Sequence, residues 1–192
     1  MDEPGRSKAF DLHWNTNYAN TKILTEKVLN ENLVKTNGKI IFVSSYLGRF
    51  GQIASINPQA YSKLKNYKRL TQADITALEN QCVQDHKGNG NRRRWPRTVY
   101  HTTKIFMSAY ANVLSRDQAR VVAKGIQVYP MHPGWCRTDM MKAYGSAPYK
   151  SQDEGAETAL YLCDLPYVIN HKIQGEYFAD SKHGSLIDGS LY

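Results

Sequence analysis

Tyr100 and Lys104 stand four residues apart in TVYHTTKIFMSAY, at the head of an apolar stretch. On a helix that spacing puts both side chains on one face. A phenol is a poor acid near neutrality, with an unperturbed pKa of about 10. A lysine ammonium beside it favours the tyrosinate and draws the phenol toward working pH, which makes a proton donor. The plainer reading is an amphipathic tyrosine packing at a helix start, beside a lysine that shares its face. A second pair with the same spacing, Tyr61 and Lys65, lies in YSKLK. Context separates them: Tyr61 heads a polar, lysine-rich stretch that runs into a cap at Thr71, whereas Tyr100 heads an apolar helix leading to a strand. A serine pair, Ser44-Ser45, closes the apolar run IIFV and reads either as chemistry or as a cap.

These groups need elements to hold them. Asn15 to Val34 carries a helical rhythm in Ile23, Leu24, Val28, Leu29 and Leu33, stopped at Asn37-Gly38. Ile40 to Val43 follows as a continuous apolar run, the pattern of a strand buried on both faces. Residues 46–97 form a polar insert, in which Thr71 and Asp74 predict a capping box for a helix to about His86. HKGNGNRRRWPR reads as loop. Val99 to Ala123 predicts a long helix with Ile105, Phe106, Ala109, Val113 and Leu114 on one stripe, ended by Gly125. IQVYPMHPG is a second buried strand stopped by Pro133-Gly134. Ser151 caps the helix QDEGAETALYLCDL, and GEYFAD (175–180) supplies a last strand. The alternation is that of a doubly wound α/β sheet.

The length of 192 residues suits one α/β domain, and 41% hydrophobic residues allow a sizeable core. The net charge of +8 suits acidic partners such as phosphate-bearing cofactors, nucleic acid or an acidic protein surface. Much of it is local, in Arg92, Arg93, Arg94 and Arg97 around Trp95, and reads as solvated loop. No RNP, KH or zinc-finger pattern turns this charge into a nucleic-acid reading. Cys82, Cys136 and Cys163 are odd in number and form no CxxC, which points to a reducing compartment without disulfides or structural zinc. No HxxxH or HExxH suggests a metal. The N-terminus has no signal-like apolar region, and no apolar run approaches the roughly 20 residues of a membrane span. The expectation is a soluble intracellular protein, cytoplasmic by default.

Several segments together resemble the short-chain dehydrogenase/reductase family, and within it the monomeric carbonyl reductases. YHTTK matches the family's YxxxK, and the second serine of IIFVSS, Ser45, falls where the family keeps its catalytic serine. HPGWCRTDM resembles PGWxxTDM, SQDEGAETALYLCDLP resembles SxEEGAExxxxLxxLP, and TNYANT is similar to TNxxGT. The insert ending in tryptophan-proline is also that subfamily's mark. The resemblance runs from about Asn15 to Ala179.

The resemblance implies an NADPH-dependent reductase turning a carbonyl into an alcohol. Tyr100 would give the proton. Lys104 would lower its pKa and hold the nicotinamide ribose. Ser45 would donate to the substrate oxygen, and Asn17 would steady a water relaying protons to Lys104. Pro133, Gly134 and Thr138, with Tyr100 and Lys104, would hold the nicotinamide end of NADP(H).

The family's glycine-rich GxxxGxG turn is missing from the thirteen glycines. Relative to the family pattern, three βα units of roughly 30 residues each, about 90 residues in all, do not appear. The expectation is one truncated Rossmann-like domain, 1–192, whose grip on NADP(H) is weak and whose edge at Lys39–Ser45 needs a protein partner. Two readings stay open. One is a reductase acting on a small carbonyl substrate with its cofactor half elsewhere, inactive alone. The other is a non-catalytic structural subunit derived from such a reductase.

Overall fold

Val128 and Tyr129 are neighbours in sequence yet belong to two separate cores, because successive strand residues point to opposite faces of a sheet. The computed structural model describes residues 4–88, 90–144, 147–166 and 173–191. Its elements are α1 (Pro4–Trp14), α2 (Asn20–Asn30), β1 (Lys39–Val43), α3 (Pro58–Leu64), α4 (Gln72–Lys87), α5 (Val99–Leu114), β2 (Gln127–Met131), α6 (Gln152–Asp164), β3 (Tyr177–Ala179) and β4 (Lys182–Gly184). The strands lie in the order β1-β2-β3-β4, the first two pairings parallel and the last antiparallel. Phe42, Val128 and Tyr177 face one core with residues of α1, α2, α4 and α5. Tyr129, Met131 and Phe178 face the other, against Leu162 of α6. Helices therefore cover both faces, as the alternating pattern predicts for a doubly wound sheet.

The expected capping box forms at Thr71–Asp74 and a second joins Ser151 to Glu154, and they start α4 and α6 where expected. The insert is helical, with α3 opened by the Asn57 side chain and Pro58. The pair Tyr61–Lys65 lies there: Tyr61 packs against the core and Lys65 stands exposed at the helix end.

Four expectations are corrected. The first helix buries only part of its aliphatic stripe: Leu29 lies in the core, but Ile23 and Leu24 are 64% and 62% exposed, and Leu33 lies beyond the helix end. An aromatic ladder at i, i+4 holds it instead, with Phe10 stacked 5.4 Å from Trp14, and Trp14 edge-on to Tyr18 at 5.0 Å. β1 is not buried on both faces. It lies at the sheet edge, where only Phe42 is fully buried and Val43 is 51% exposed. α5 stops at Leu114 rather than Ala123. Ser115 turns its hydroxyl back to the Asn112 carbonyl (2.7 Å), and Asp117 accepts from the Arg120 backbone (2.9 Å), closing a turn that competes with the helix. Finally, β4 folds back on β3 through Asp180 and Ser181, both at positive φ (49° and 58°), a tight two-residue hairpin without the glycine that usually announces one.

Candidate active site

The carboxyl ends of parallel strands are where open α/β sheets gather ligand-binding groups, and here β1 ends in Ser44-Ser45. Ser44 turns inward. Its backbone N–H donates to the Met131 carbonyl (2.7 Å), and its hydroxyl meets the Lys104 carbonyl (3.1 Å) and the Ser108 hydroxyl (2.7 Å). This ties the end of β1 to the middle of α5. Ser45 is half-buried, and its Oγ accepts from the Leu47 N–H at 3.2 Å, capping the short turn Tyr46–Gly48. That turn lies directly on α5: a Cβ on Gly48 would stand 2.7 Å from the Lys104 carbonyl oxygen.

On α5, Lys104 sits one turn beyond Tyr100, and its Nζ is 5.7 Å from the centre of the phenol ring. The same ammonium donates to the Val43 carbonyl at 2.7 Å, two residues before Ser45. Burial pushes the Lys104 pKa down to about 8. A lysine poised there can carry or release a proton at working pH, which one near 10 does far less readily. Asn17 lies in a π-helical turn, Asn15–Ala19, between α1 and α2, and its Nδ2 approaches the Thr103 hydroxyl at 3.4 Å. Such one-turn irregularities recur at functional sites because they re-aim a side chain. Lys104 is thus tied to Tyr100 and to the strand end that leads into Ser45, and Asn17 to Thr103 on the same helix.

Pro133 and Gly134 follow β2. Gly134 needs its positive φ of 88°, and its N–H donates to His132 Nδ1 at 2.9 Å. The His132 ring stands edge-on to Tyr46 at 5.9 Å, so this turn borders the Ser45 end of β1. Burial pushes the imidazole down to about 4, which keeps it neutral, with its proton on Nε2. Thr138 is exposed on the next turn, its carbonyl accepting from Met141. Among the described residues, no hydrogen bond joins it to Tyr100 or Lys104.

Several neighbours are invisible to motif reading. Arg49 lays its guanidinium 3.2 Å from the centre of the Tyr46 ring and donates to the Tyr46 carbonyl. Lys150 reaches under Gly134 and pairs with Asp180. The fully buried Tyr177 packs 5.4 Å from His132. Only the position of Ser44 beside Ser45 offered a signal. The described residues contain no group of His, Cys, Asp or Glu able to hold a metal ion, and none of their helices is long and apolar enough to cross a membrane.

The site fits a dinucleotide only in part. The half-buried phenol, the ammonium beside it and the turn at Pro133-Gly134, which lies over the Lys150 side chain, offer hydrogen-bonding groups of the kind the nicotinamide end of a dinucleotide takes. Among the described residues, no glycine-rich turn precedes a helix N-terminus for the pyrophosphate.

No family model matches the sequence. "Carbonyl reductase [NADPH] 1" of Homo sapiens is 34% identical over 157 residues, 79% of this chain and 53% of that protein. The protein of the same name from Oryctolagus cuniculus is 33% identical over 157 residues, with the same shares. The chain spans about half the length of the curated relatives it matches. Among solved structures, salutaridine reductase from Papaver somniferum shares the fold, with a TM-score of 0.67 at 22% identity over 92% of this chain and 59% of that one.

Proposed function

We propose, for a chain that belongs to the short-chain dehydrogenase/reductase family, that Tyr100 protonates the oxygen of a small carbonyl substrate as NADPH reduces it. The observation that carries this reading is the Lys104 ammonium. It lies beside the Tyr100 ring while anchored to the end of β1, with a pKa near 8. NADPH, when bound, supplies the hydride that goes to the carbonyl carbon. Ser45, placed by the strand end, donates to the carbonyl oxygen and stabilises the charge that builds there. The O–H bond of Tyr100 breaks and the alcohol O–H forms. Lys104 holds the resulting tyrosinate by charge, and Asn17 steadies the route by which its proton is replaced. Tyr100, Lys104, Pro133, Gly134 and Thr138 are the residues we assign to the nicotinamide end of the cofactor.

These residues hold no pyrophosphate cradle, so the proposed chain does not turn over carbonyls alone and works with a protein partner seated on the edge of β1. A second reading, a structural subunit that no longer catalyses, draws on that same edge. Val43 is half-exposed there, and Ile23 and Leu24 on α2 stand in solvent. Edges and patches of this kind mark association surfaces. Its three unpaired cysteines suit a reducing intracellular compartment.

Turnover decides between the two. Protein isolated with its native partners should oxidise NADPH in the presence of benzaldehyde, and Tyr100→Phe should reduce the rate at least a hundredfold. An unchanged rate in Tyr100→Phe, or none in the native material, removes the catalytic reading.

A further inference from the structure

Glycine is the freest residue of the backbone, so a glycine turn that must hold one end of a ligand needs support from outside. Gly134, at φ 88°, has such a support beside it. A Cβ built on Gly134 would stand 2.8 Å from Cδ of Lys150, 3.1 Å from its Cε and 3.2 Å from its Nζ, so the outer half of that side chain lies against the turn. Lys150 is fixed at both ends. At its root, its N–H donates to the Trp135 carbonyl (3.2 Å) and its carbonyl accepts from the Arg137 N–H (2.9 Å). At its tip, the ammonium pairs with Asp180. Only 16% of the side chain is exposed.

The anchor at the tip sits on costly backbone. Asp180 and Ser181 both take positive φ, 49° and 58°, and neither is glycine. Such conformations persist where the surroundings over-determine them, and they cluster at functional sites. Two contacts hold this hairpin from outside. The Ser181 N–H donates to the hydroxyl of the buried Thr158 on α6 (3.1 Å), and the Asp180 carboxylate takes the Lys150 ammonium. An ion pair with one exposed partner adds little stability. Stability therefore does not account for a strained hairpin that aims its carboxylate at this lysine.

We propose that Lys150 is a positioning residue: anchored by Asp180, its side chain is the floor that holds the Gly134 turn where it meets the nicotinamide end of NADP(H). This rests on the carbonyl-reduction reading above. Lys150 takes no part in the proton transfer. Its charge is matched by Asp180, and its stem carries the contact with the turn.

Asp180→Asn and Lys150→Met each remove the anchor while keeping the size of the carboxylate or the length of the stem. In the nitrogen-15-labelled full chain, hydrogen exchange is followed at the Gly134 amide, which donates to His132 Nδ1. It should accelerate about tenfold or more in either variant, because the turn opens locally, while the amides of β2 keep their wild-type rates. In native material at saturating NADPH, kcat for benzaldehyde reduction should fall about tenfold, and KM for NADPH should change less than about threefold. The loss is one of orientation at the reacting end, whereas affinity comes from remote phosphate contacts. The double variant should be no slower than either single one, since both remove the same contact. Unchanged exchange at Gly134, or a rise shared equally by β2, overturns the proposal. So does an unchanged kcat, a loss confined to KM, or a double variant in which the losses multiply. Wild-type native material that oxidises no NADPH would sink the carbonyl-reductase reading instead, and exchange at Gly134 then decides the role of Lys150 alone.

Discussion

Lys104 concentrates the argument at the level of single residues. Its ammonium is partly buried beside the Tyr100 ring, and burial lowers its pKa to about 8 against about 10.4 in an unfolded chain. Between those values the unfolded chain binds more protons than the folded one, so stability rises with pH across that interval. Below about 8 the cost of burying the charge is present in full. Lys104→Met should therefore raise the melting temperature at pH 7, with the gap to wild type closing as pH climbs from 8 to 10. Loss of the same charge above pH 8 should slow carbonyl reduction by the native material, because the tyrosinate left behind loses its counter-charge. A rate that climbs through pH 9 would contradict this. The Tyr100–Lys104 pair was legible because both members sit on one helical turn. Ser44 and Tyr177 were not, since their surroundings lie forty-five or more positions away: Ser44 on Lys104 and Ser108, Tyr177 against His132.

Among elements, the contact that matters is the end of β1 against α5. The turn after Ser45 lies so close to α5 that Gly48 has no space for a side chain: an added Cβ would come 2.4 Å from Ser44 Oγ and 2.7 Å from the Lys104 carbonyl. The Lys104 carbonyl is backbone and cannot swing aside. Gly48→Ala should cost roughly 1–3 kcal/mol in denaturant unfolding and lower turnover as well, because it moves Ser45 away from α5. An alanine variant with unchanged stability would show the turn to be looser than the distances say. Local signals predicted the starts of α4 and α6, where a cap and its partner are three residues apart. The end of α5 escaped because apolar periodicity continues past Leu114 while Ser115 and Asp117 divert the backbone. The hairpin at Asp180-Ser181 escaped because serine stands where glycine usually follows Asp in such a turn.

For the whole molecule, the sheet has one protected side and one open side. β2 is buried along its length, whereas β1 pairs only with β2, and its outer backbone groups face no strand among the described residues. Lys39 at its start donates to the carbonyls of Cys163 and Leu165 at the end of α6, 2.6 and 2.5 Å away, so charge blunts one end of the edge. The alternation of elements made the α/β layers readable, but an apolar strand sequence cannot say whether a neighbour lies on one side or two. Ile40–Val43 therefore reads by its apolar run as buried on both faces, and only the missing βα units placed it at the edge where it folds. The proposed partner surface includes Ile23 and Leu24. Replacing both with glutamate should leave the melting temperature of the isolated chain within a few degrees, since neither is packed, yet release the chain from its native assembly in sedimentation. Retention in the assembly would place the partner elsewhere.

The claim that these residues build a proton-delivering site but only part of a dinucleotide site is tested most directly by calorimetric titration of NADPH. Titrated into the isolated chain, it should bind more weakly than about 1 mM, and into the native material at least a hundredfold more tightly, because the remote phosphate contacts supply most of the affinity. Micromolar binding to the isolated 192-residue chain, equal to that of the native material, would contradict the account.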